Sequence, residues 1–550
     1  MFPNITSQTN NTAKSVNNKL GSCVVLCAKF YLYMAIPCSC TGDLGGIWSL
    51  RDCWNRRSIV WIRFACFRAD VQFSMRVVSI CVHRVLHRVI TDIGIISGVL
   101  AMNDFTEDFN VSSWTDSDLH LNEEGAIVST FIFGNLVGAL LSSVFADKCG
   151  RRTTMIIGCT VFLLGGGLQV AAHNLWTLYV GRGIAGLAIG LMTMIVPLFN
   201  AELAPASLRG RLITFNQIAM TGGIMVSYWV NYGFQFVAEG WRYALSGQLL
   251  FALVLLCGLF CVPQSPRWLV MVGRSDHAFK SLLRLRGQKQ LAQRELFLIE
   301  EQHRKERLQH VDTWRGLCCD AVSLRRLVIC SVLQSFQQLT GINSIMYYMP
   351  SIAAAVGFGT NTALGQTGIN GIVNFLSTFL AFIFVDRFGR RPLLLGGALL
   401  MGLAMTVLAL LGTFYVSFDA IGRTVVESSV AAWSCVIAIY VFVFAFAWSW
   451  GPICWLYPTE AFPTSQRAKG VSITTASNFA WNIVIAQFVP ELQEDILKFA
   501  LFAIFALLCA VMFIFVQVLL PETRQKSLEE LSRAFDVAST KNNDTQKTRS

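Results

Sequence analysis

The sequence predicts an all-α integral membrane protein built from two pseudo-symmetric halves, and three observations lead to this fold class. Of the 550 residues, 54% are hydrophobic and only 14% are charged, and the mean hydropathy is +0.52. This composition is too apolar for a soluble protein of several domains. Long apolar runs recur along the chain, and three short motifs occur twice in the same order.

The apolar runs give the number of membrane-spanning helices, each of which needs roughly 20 predominantly apolar residues. From residue 120 onward, eleven runs reach this length, near 125–145, 153–172, 175–196, 212–233, 243–262, 328–350, 366–385, 392–415, 432–456, 468–489 and 497–520. A twelfth span should end near Met102 and begin near residue 78. That window contains Arg84 and Arg88. Because a central Arg costs about 2.5–3.5 kcal/mol on the insertion scale, the sequence disfavours an intact first span.

The repeated motifs indicate an internal duplication. Asp-Lys-Cys-Gly-Arg-Arg at 147–152 returns as Asp-Arg-Phe-Gly-Arg-Arg at 386–391. The pattern Glu-x2-Pro-x3-Arg begins at Glu202 and again at Glu460, 258 residues later. A Pro-led segment follows each of these glutamates by 61 residues. A duplicated membrane half with a pseudo-symmetry axis is the architecture of many secondary transporters.

The net charge of +11 does not indicate a nucleic-acid partner. Residues 1–90 hold eleven Lys or Arg against three Asp or Glu and therefore carry most of this charge. In the rest of the chain, basic residues cluster in alternate loops, as at Arg151 and Arg152. The loops between these, on the other side of the membrane, are acidic or neutral, as in 104–124. This alternation is the positive-inside pattern, and it predicts that both chain termini face the cytoplasm.

The seventeen cysteines predict neither a disulfide nor a metal site. After residue 90, they fall in or beside the predicted helices, or in loops on the predicted reducing side of the membrane. In such places Cys behaves as a small apolar residue. We expect no cofactor.

The chain divides into five segments. Residues 91–262 and 327–520 are the N-terminal and C-terminal transmembrane halves. Residues 263–326 combine many charges with interspersed leucines, which predicts short amphipathic helices on the cytoplasmic face; a merely solvated linker is the alternative. Residues 521–550 form a polar cytoplasmic tail. Residues 1–90 are atypical, with seven cysteines and no sustained amphipathic period, and are either real protein or an artefact of the gene model.

A set of motifs carries a family resemblance. It comprises the two Asp-x-x-Gly-Arg-Arg loops together with GRGIAG at 181–186, PQSPRWL at 263–269, QQLTGIN at 337–343 and PETRQKSLEE at 521–530. Over about residues 91–530 the chain resembles the sugar porter family of the major facilitator superfamily, and especially its fungal monosaccharide transporters. The resemblance implies the twelve-helix major facilitator fold. It also implies a monomer in the plasma membrane that transports a monosaccharide, specifically a hexose, by alternating access and without enzymatic activity.

The resemblance further implies an ionic latch at the cytoplasmic face, closed in the outward-open state. The tight turn of each repeated loop needs a residue that tolerates positive φ, which Gly150 and Gly389 supply. The expected latch residues are Asp147, Arg151, Arg152, Glu202, Arg209, Asp386, Arg390, Arg391, Glu460 and Arg467. The alternative is that these charges only anchor the topology. Gln264 stands where the family has Glu, which removes one carboxylate from the latch.

The candidate binding residues are mostly amides, because a neutral polyol needs groups that donate and accept hydrogen bonds at once. Positions that match the family's sugar contacts hold Gln217, Gln337, Gln338, Asn343, Asn374, Trp455 and Asn478. Asn482 lies one turn after Asn478. Gly341 would let the seventh span break, so that Gln338 and Asn343 face one ligand. Taken alone, each amide is about as well explained by a hydrogen bond between helices.

Asp92 and Arg182 are the candidate proton-coupling pair. Arg182 lies inside the fourth span, where an ionisable residue is a functional candidate by default. In proton-coupled sugar porters an Asp and an Arg occupy these positions, so the resemblance favours proton symport. The alternatives are a facilitative uniporter, a porter for a polyol or quinate, and a non-transporting sugar sensor. The expected partners are a neutral sugar, protons and the lipid bilayer.

Overall fold

The computed structural model describes ten stretches of the chain. They are residues 93–100, 102–109, 119–203, 209–308, 317, 320–355, 360–418, 424–426, 429–494 and 500–523. Three of the sequence predictions fall outside these stretches: the atypical segment 1–90, the side chain of Asp92, and the tail beyond Thr523. Those three remain predictions.

The described residues are almost entirely helical. The first half contains α1 (Ile93–Val99), α2 (Asn103–Asp108), α3 (Leu119–Cys149), α4 (Arg151–Val170), α5 (Leu175–Leu203), α6 (Arg209–Phe234) and α7 (Gly240–Cys261). The connecting segment contains α8 (Pro266–Met271), α9 (Ser275–Arg286) and α10 (Lys289–Leu308). The second half contains α11 (Ala321–Leu339), α12 (Ile342–Ala355), α13 (Thr360–Phe388), α14 (Arg390–Tyr415), α15 (Ser429–Trp448), α16 (Trp450–Ala461), α17 (Thr464–Glu494) and α18 (Ala500–Leu519).

A short hairpin is the non-helical element of the described chain. Strands β1 (Val416–Phe418) and β2 (Thr424–Val426) pair antiparallel after α14, with Val416 opposite Val426. The hairpin joins α14 to α15 and does not alter the all-helical character of the two halves.

Each of the eleven apolar runs falls on a helix or on a pair of consecutive helices. Among the described residues, eight helical segments are long and apolar enough to cross a membrane. The runs at 212–233, 328–350 and 468–489 fall on α6, on α11 with α12, and on α17. These helices are less apolar because Gln, Asn, Ser and Thr interrupt their sequences.

Glycines bring α3 and α5 into direct backbone contact. A Cβ added to Gly134 or Gly138 of α3 would lie 2.4 or 2.2 Å from a backbone oxygen of α5. A Cβ on Gly186 or Gly190 of α5 would lie 2.1 Å from a backbone oxygen of α3. These four positions form a small-xxx-small contact, which we call the glycine seam. The seam lets two long helices approach more closely than any side chain would permit.

The apolar run at 328–350, the predicted seventh span, is broken where the sequence predicts. Helix α11 ends at Leu339, and α12 begins at Ile342 after Gly341, whose φ is +84°. A Cβ on Gly341 would lie 2.6 Å from the ring of Phe505 in α18. Glycine is therefore required here both for its backbone angle and for the space.

The connecting segment has a small core of its own. Trp268, Leu282 and Ala292, from α8, α9 and α10, are buried against one another. Arg286 forms a bidentate ion pair with Glu295, at 2.6 and 2.7 Å. Arg286 also donates to the backbone oxygen of Leu203 at 3.3 Å, which ties this core to the end of α5. Residues 266–308 are thus packed helices, and their placement at a membrane surface remains a prediction.

The glycine seam predicts different outcomes for the same substitution at two glycines. Gly186→Ala should lower the free energy of unfolding by about 1–3 kcal/mol, because the new methyl group overlaps the Phe131 carbonyl. Gly167→Ala in α4 is the matched control, since nothing lies within 4 Å of an added Cβ there. Thermal unfolding of the purified variants in detergent measures the difference. Equal stability of the two variants would contradict the seam.

Candidate functional site

A central cavity of about 150 Å³ lies between the two halves. The first half contributes side chains from α3, α5 and α6, and the second half contributes side chains from α11, α12, α13, α15, α16 and α17. The structure brings all seven candidate binding residues to its wall: Gln217, Gln337, Gln338, Asn343, Asn374, Trp455 and Asn478. Residues that are 261 positions apart in the chain thus share one cavity.

The break at Gly341 shapes one side of this wall. Because the helix is interrupted, Asn343 of α12 turns back toward α11 and donates from Nδ2 to Oε1 of Gln338 at 2.7 Å. Both amides line the cavity. The unwound turn between them is held by the Thr340 hydroxyl, which donates to the backbone oxygen of Gln337 at 2.7 Å.

The amides of the second half form a continuous network. Gln338 Nε2 donates to Asn478 Oδ1 at 2.7 Å, and Asn478 Nδ2 donates to Gln337 Oε1 at 2.7 Å. Asn343 Nδ2 also donates to Asn482 Oδ1 at 2.8 Å. An unpaired buried amide would cost about 1–3 kcal/mol. These groups satisfy one another in the described structure, and the network fixes α17 against the broken helix.

Gln334 is a member of the network that the sequence analysis did not identify. Its Oε1 accepts from Asn478 Nδ2 at 2.8 Å, and its Nε2 donates to the backbone oxygen of Cys454 at 2.9 Å. It lies behind the cavity wall and connects α11 to α16. The spacing of residues 334, 337 and 338 places all three on one helix face, and this pattern could have revealed it.

The other candidate residues come from three more helices. Gln217 of α6 and Asn374 of α13 are both buried, and Trp455 of α16 is partly buried. Tyr347 of α12 also lines the cavity, and its hydroxyl accepts from Asn482 Nδ2 at 3.4 Å. The cavity is therefore bordered by amides on several sides and by aromatic side chains, among them Trp455 and Tyr347.

The cavity wall is polar but uncharged. Its described lining residues include no Asp, Glu, Lys, Arg or His. Amide groups donate and accept hydrogen bonds without carrying charge. The arrangement suits a small neutral ligand with many hydroxyl groups, and it offers no ionic partner to an anion or a cation.

Arg182 lies beside this cavity without lining it. It is fully buried, and its Nε donates to the backbone oxygen of Ile127 at 2.6 Å. Its guanidinium carbon lies 5.0 Å from the centre of the Phe131 ring, a cation–π distance. Phe131 lines the cavity, so one aromatic ring separates the buried charge from the site. Asp92, its expected partner, lies outside the described residues.

The latch residues of the first half form a compact ionic cluster. Arg151 Nη2 lies 3.0 Å from Glu202 Oε1, and Arg151 Nη1 lies 3.6 Å from Asp147 Oδ1. The hydroxyl of Ser265 donates to the second carboxylate oxygen of Glu202. Arg151, Glu202 and Ser265 are all buried, so these charges are shielded from competing water.

The second half repeats the cluster with matched residues. Arg390 Nη2 lies 2.7 Å from Glu460 Oε1, and the Thr523 hydroxyl donates to Glu460 Oε2 at 2.8 Å. Thr523 follows Ser265 by 258 residues, the same offset that separates the two glutamates. Ser265 and Thr523 were not among the candidate residues, although the repeat offset could have identified them.

Arg152 and Arg391 take a different role from the ion pairs that the family resemblance implies. Arg152 donates to the backbone oxygens of Leu259 and Phe260, both at 2.9 Å. Arg391 donates to the backbone oxygen of Gln517. Each therefore places its positive charge at the last turn of α7 or α18, where helix carbonyl groups favour a cation.

The remaining latch candidates are Arg467, Arg209 and Asp386. Arg467 donates from Nε and Nη2 to the backbone oxygen of Phe462, at 3.3 and 3.2 Å. The side chains of Arg209 and Asp386 lie outside the described parts of the structure. Their participation in a latch remains a prediction.

The two repeated loops differ in the group that caps the following helix. Gly150 and Gly389 both have positive φ, at +84° and +91°. After Gly150, the amide oxygen of Gln264 accepts from the Arg152 backbone N–H at 2.9 Å. After Gly389, the Glu522 carboxylate accepts from the backbone N–H groups of Arg390 and Arg391, at 3.0 and 2.9 Å. Gln264 thus keeps a hydrogen bond but lacks the negative charge that a helix N-terminus favours.

Comparisons with known proteins agree with this architecture. The family model described as "Sugar (and other) transporter" matches residues 89–535. The chain is 33% identical over 467 residues to the MFS glucose transporter mfs1 of Aspergillus flavus, covering 81% of this chain and 86% of that protein. It is 33% identical over 457 residues to Sugar transport protein 10 of Arabidopsis thaliana, covering 81% and 87%.

Solved structures give the same result. The structure resembles the major facilitator proton:xylose symporter XylE, a transporter from E. coli, bound to 6-bromo-6-deoxy-D-glucose. The TM-score is 0.73 at 28% sequence identity, and the match covers 84% of this chain and 99% of that one. The predicted all-α, twelve-helix major facilitator fold is thereby confirmed.

The difference between the two caps predicts opposite effects for reciprocal substitutions. Gln264→Glu should raise the free energy of unfolding by about 0.3–1 kcal/mol at low ionic strength, because it adds a negative charge at the N-terminus of α4. Glu522→Gln should lower it by at least as much at α14, because the amide also loses one of the two oxygens that accept from the Arg390 and Arg391 backbone N–H groups. Thermal unfolding at low and high salt measures both, and added salt should shrink both effects. A Gln264→Glu variant of unchanged or reduced stability would contradict this account.

Proposed function

Since this chain belongs to the sugar transporter family of the major facilitator superfamily, we propose that it carries a hexose across the plasma membrane in symport with a proton. The observation that supports this proposal most directly is the uncharged cavity between the two halves, whose described lining includes amides from six helices. A neutral polyol can exchange hydrogen bonds with every amide in such a wall.

The amides act as binding groups in this proposal. Gln338 bonds to both Asn343 and Asn478 in the cavity wall. A sugar hydroxyl both donates and accepts, so it can replace one of these mutual bonds without leaving an amide unpaired. The Trp455 ring offers an apolar surface to the C–H groups of a pyranose. Similar proteins with glucose in their names support a hexose as the substrate class.

Alternating access requires the two halves to separate on one side of the cavity at a time. Between the halves, the Ser472 hydroxyl of α17 donates to the backbone oxygen of Ala139 in α3 at 2.7 Å. The Tyr228 hydroxyl of α6 donates to the backbone oxygen of Met346 in α12 at 2.9 Å. Both are single hydrogen bonds to carbonyl groups, which water can replace when the halves part. The ionic clusters lie within each half, and in this proposal they form the latch that holds the cytoplasmic side closed in the outward-open state.

Proton coupling rests in this proposal on Asp92 and Arg182. Arg182 is buried, and a carboxylate partner would be protonated less readily while the pair is intact. Protonation of Asp92 would release the pair, and the contact between Arg182 and Phe131 would carry the change to the cavity wall. The resemblance to the proton:xylose symporter supports symport over facilitated diffusion.

Uptake measurements test the function and the coupling together. We expect labelled glucose to accumulate in cells that lack their own hexose carriers, faster at acidic than at near-neutral pH. A protonophore should abolish the accumulation, and Asp92→Asn should abolish it while leaving exchange of internal and external sugar. Uptake that is insensitive to pH and protonophore would make the protein a uniporter. Absence of uptake at normal surface abundance would favour a polyol, quinate or sensor function.

The amide network predicts a specific loss of affinity. Gln338→Leu should raise the apparent KM for the sugar at least about tenfold, because it removes two amide contacts of about 1 kcal/mol each. Gln366→Leu in α13 is the matched control, since Gln366 is buried and bonded to Tyr440 but does not line the cavity. The control should affect stability or abundance and leave the KM near that of the wild type. A similar KM for both variants would contradict a role of Gln338 in binding the sugar.

A further inference from the structure

One amide of the cavity wall has a buried oxygen that no described group satisfies. Asn135 of α3 lines the cavity, and its side chain is almost fully buried. Its Oδ1 has no hydrogen-bond partner among the described residues. The amides of Gln338, Asn343 and Asn478, on the opposite wall, bond to one another. Native proteins leave few buried polar atoms unsatisfied, and each such atom calls for an explanation.

The position of Asn135 is fixed by the glycine seam. A Cβ on Gly190 would lie 2.1 Å from the Asn135 backbone oxygen, so α5 holds this turn of α3 in place. Phe131, one turn earlier, is held in turn by Arg182. A shift of α3 therefore cannot bring the Asn135 amide to a hydrogen-bond partner. Asn135 therefore keeps a defined place in the cavity wall.

The first half offers the ligand few other polar groups. Its lining includes the apolar side chains of Ile189, Met220 and Ile224. The hydroxyl of Thr193 already donates to the backbone oxygen of Ile189 at 2.7 Å. The hydroxyl of Thr221 similarly approaches the backbone oxygen of Gln217 at 3.2 Å. A ligand held by the amide network of the second half thus meets a mostly apolar wall, in which the amides are those of Asn135 and Gln217.

We propose that Asn135 forms a hydrogen bond to one hydroxyl of the transported sugar and thereby selects sugars that carry this hydroxyl. This inference rests on the proposed function. A hydroxyl can donate to Oδ1 or accept from Nδ2, so the pairing holds for either orientation of the amide. A site that hydrogen-bonds a substrate hydroxyl rejects analogues that lack it more strongly than an apolar wall can. Asn135 is then a specificity-determining residue on the side of the cavity opposite the amide network.

The test compares sugar analogues on two proteins. Monodeoxy and monofluoro derivatives of the transported sugar compete with the labelled sugar for uptake by the wild type and by Asn135→Ala. In the wild type, the derivative altered at one ring position should compete about five- to thirtyfold less well than the parent sugar. In Asn135→Ala this penalty should disappear, while the penalties at the other ring positions remain. A fluoro derivative as poor as the deoxy derivative identifies the hydroxyl as the donor.

The same variant gives a second, independent readout. Removing an unpaired buried amide should leave the ligand-free protein at least as stable as the wild type, so Asn135→Ala should show an equal or higher Tm together with a weaker affinity for the sugar. Ser143→Ala on the same helix is the control, because its hydroxyl bonds its own backbone at Leu140 and does not line the cavity. With the control variant, the analogues should compete for uptake in the same order of strength as with the wild type.

The outcomes separate this inference from the proposed function. An unchanged order of analogues in Asn135→Ala, with uptake by the wild type intact, would overturn the role of Asn135 alone. A loss of Tm in that variant would show that the amide is satisfied within the protein and would also overturn it. Absence of sugar uptake by the wild type would instead overturn the function on which the inference rests.

Discussion

The need to satisfy buried amides controls the organisation of the second half. An amide without a partner is expensive in a membrane interior, where water cannot compensate for it. Gln334, Gln337 and Asn478 meet this requirement together and thereby connect α11, α16 and α17. The break at Gly341 extends the network into α12. The groups proposed to bind the ligand are thus the same groups that hold the helices together, which makes the wall pre-organised before any ligand arrives.

The internal duplication is preserved in chemistry as well as in sequence. An Arg, a Glu and a hydroxyl residue form an ionic cluster in each half, buried in the first half and partly buried in the second. In both halves the second Arg of the loop binds carbonyl groups at the end of the last long helix. The halves diverge at the cap, where an amide stands in one and a carboxylate in the other. The divergence changes the charge, and the amide accepts one backbone hydrogen bond where the carboxylate accepts two.

Features carried by recognisable motifs could be predicted from the sequence. Features that depend on how a helix is rotated about its own axis could not. Positive φ at Gly150 and Gly389 and the break at Gly341 follow from glycine chemistry in a recognisable context. The motif residues Gln337, Gln338 and Asn343 could likewise be placed near one another, although their role in binding stays a prediction. Asn135 could not be placed, because an apolar helix with few polar residues does not reveal which face turns inward. Gln334, in contrast, shares a helix face with Gln337 and Gln338, and this spacing could have identified it. Nor could the sequence show that Arg152 would bind carbonyl groups instead of carboxylates.

The glycine seam also constrains how the protein is made. Helices α3 and α5 are not neighbours in the chain, because α4 lies between them. During synthesis α3 therefore enters the bilayer before its closest partner exists, with the bare backbone surface at Gly134 and Gly138 facing lipid or the insertion machinery. The first half can adopt its final packing only after α5 has been inserted. Folding of the first half therefore cannot finish before residues 175–203 have been translated. A ribosome that stalls earlier would leave an incomplete helix bundle, which is a substrate for cellular quality control.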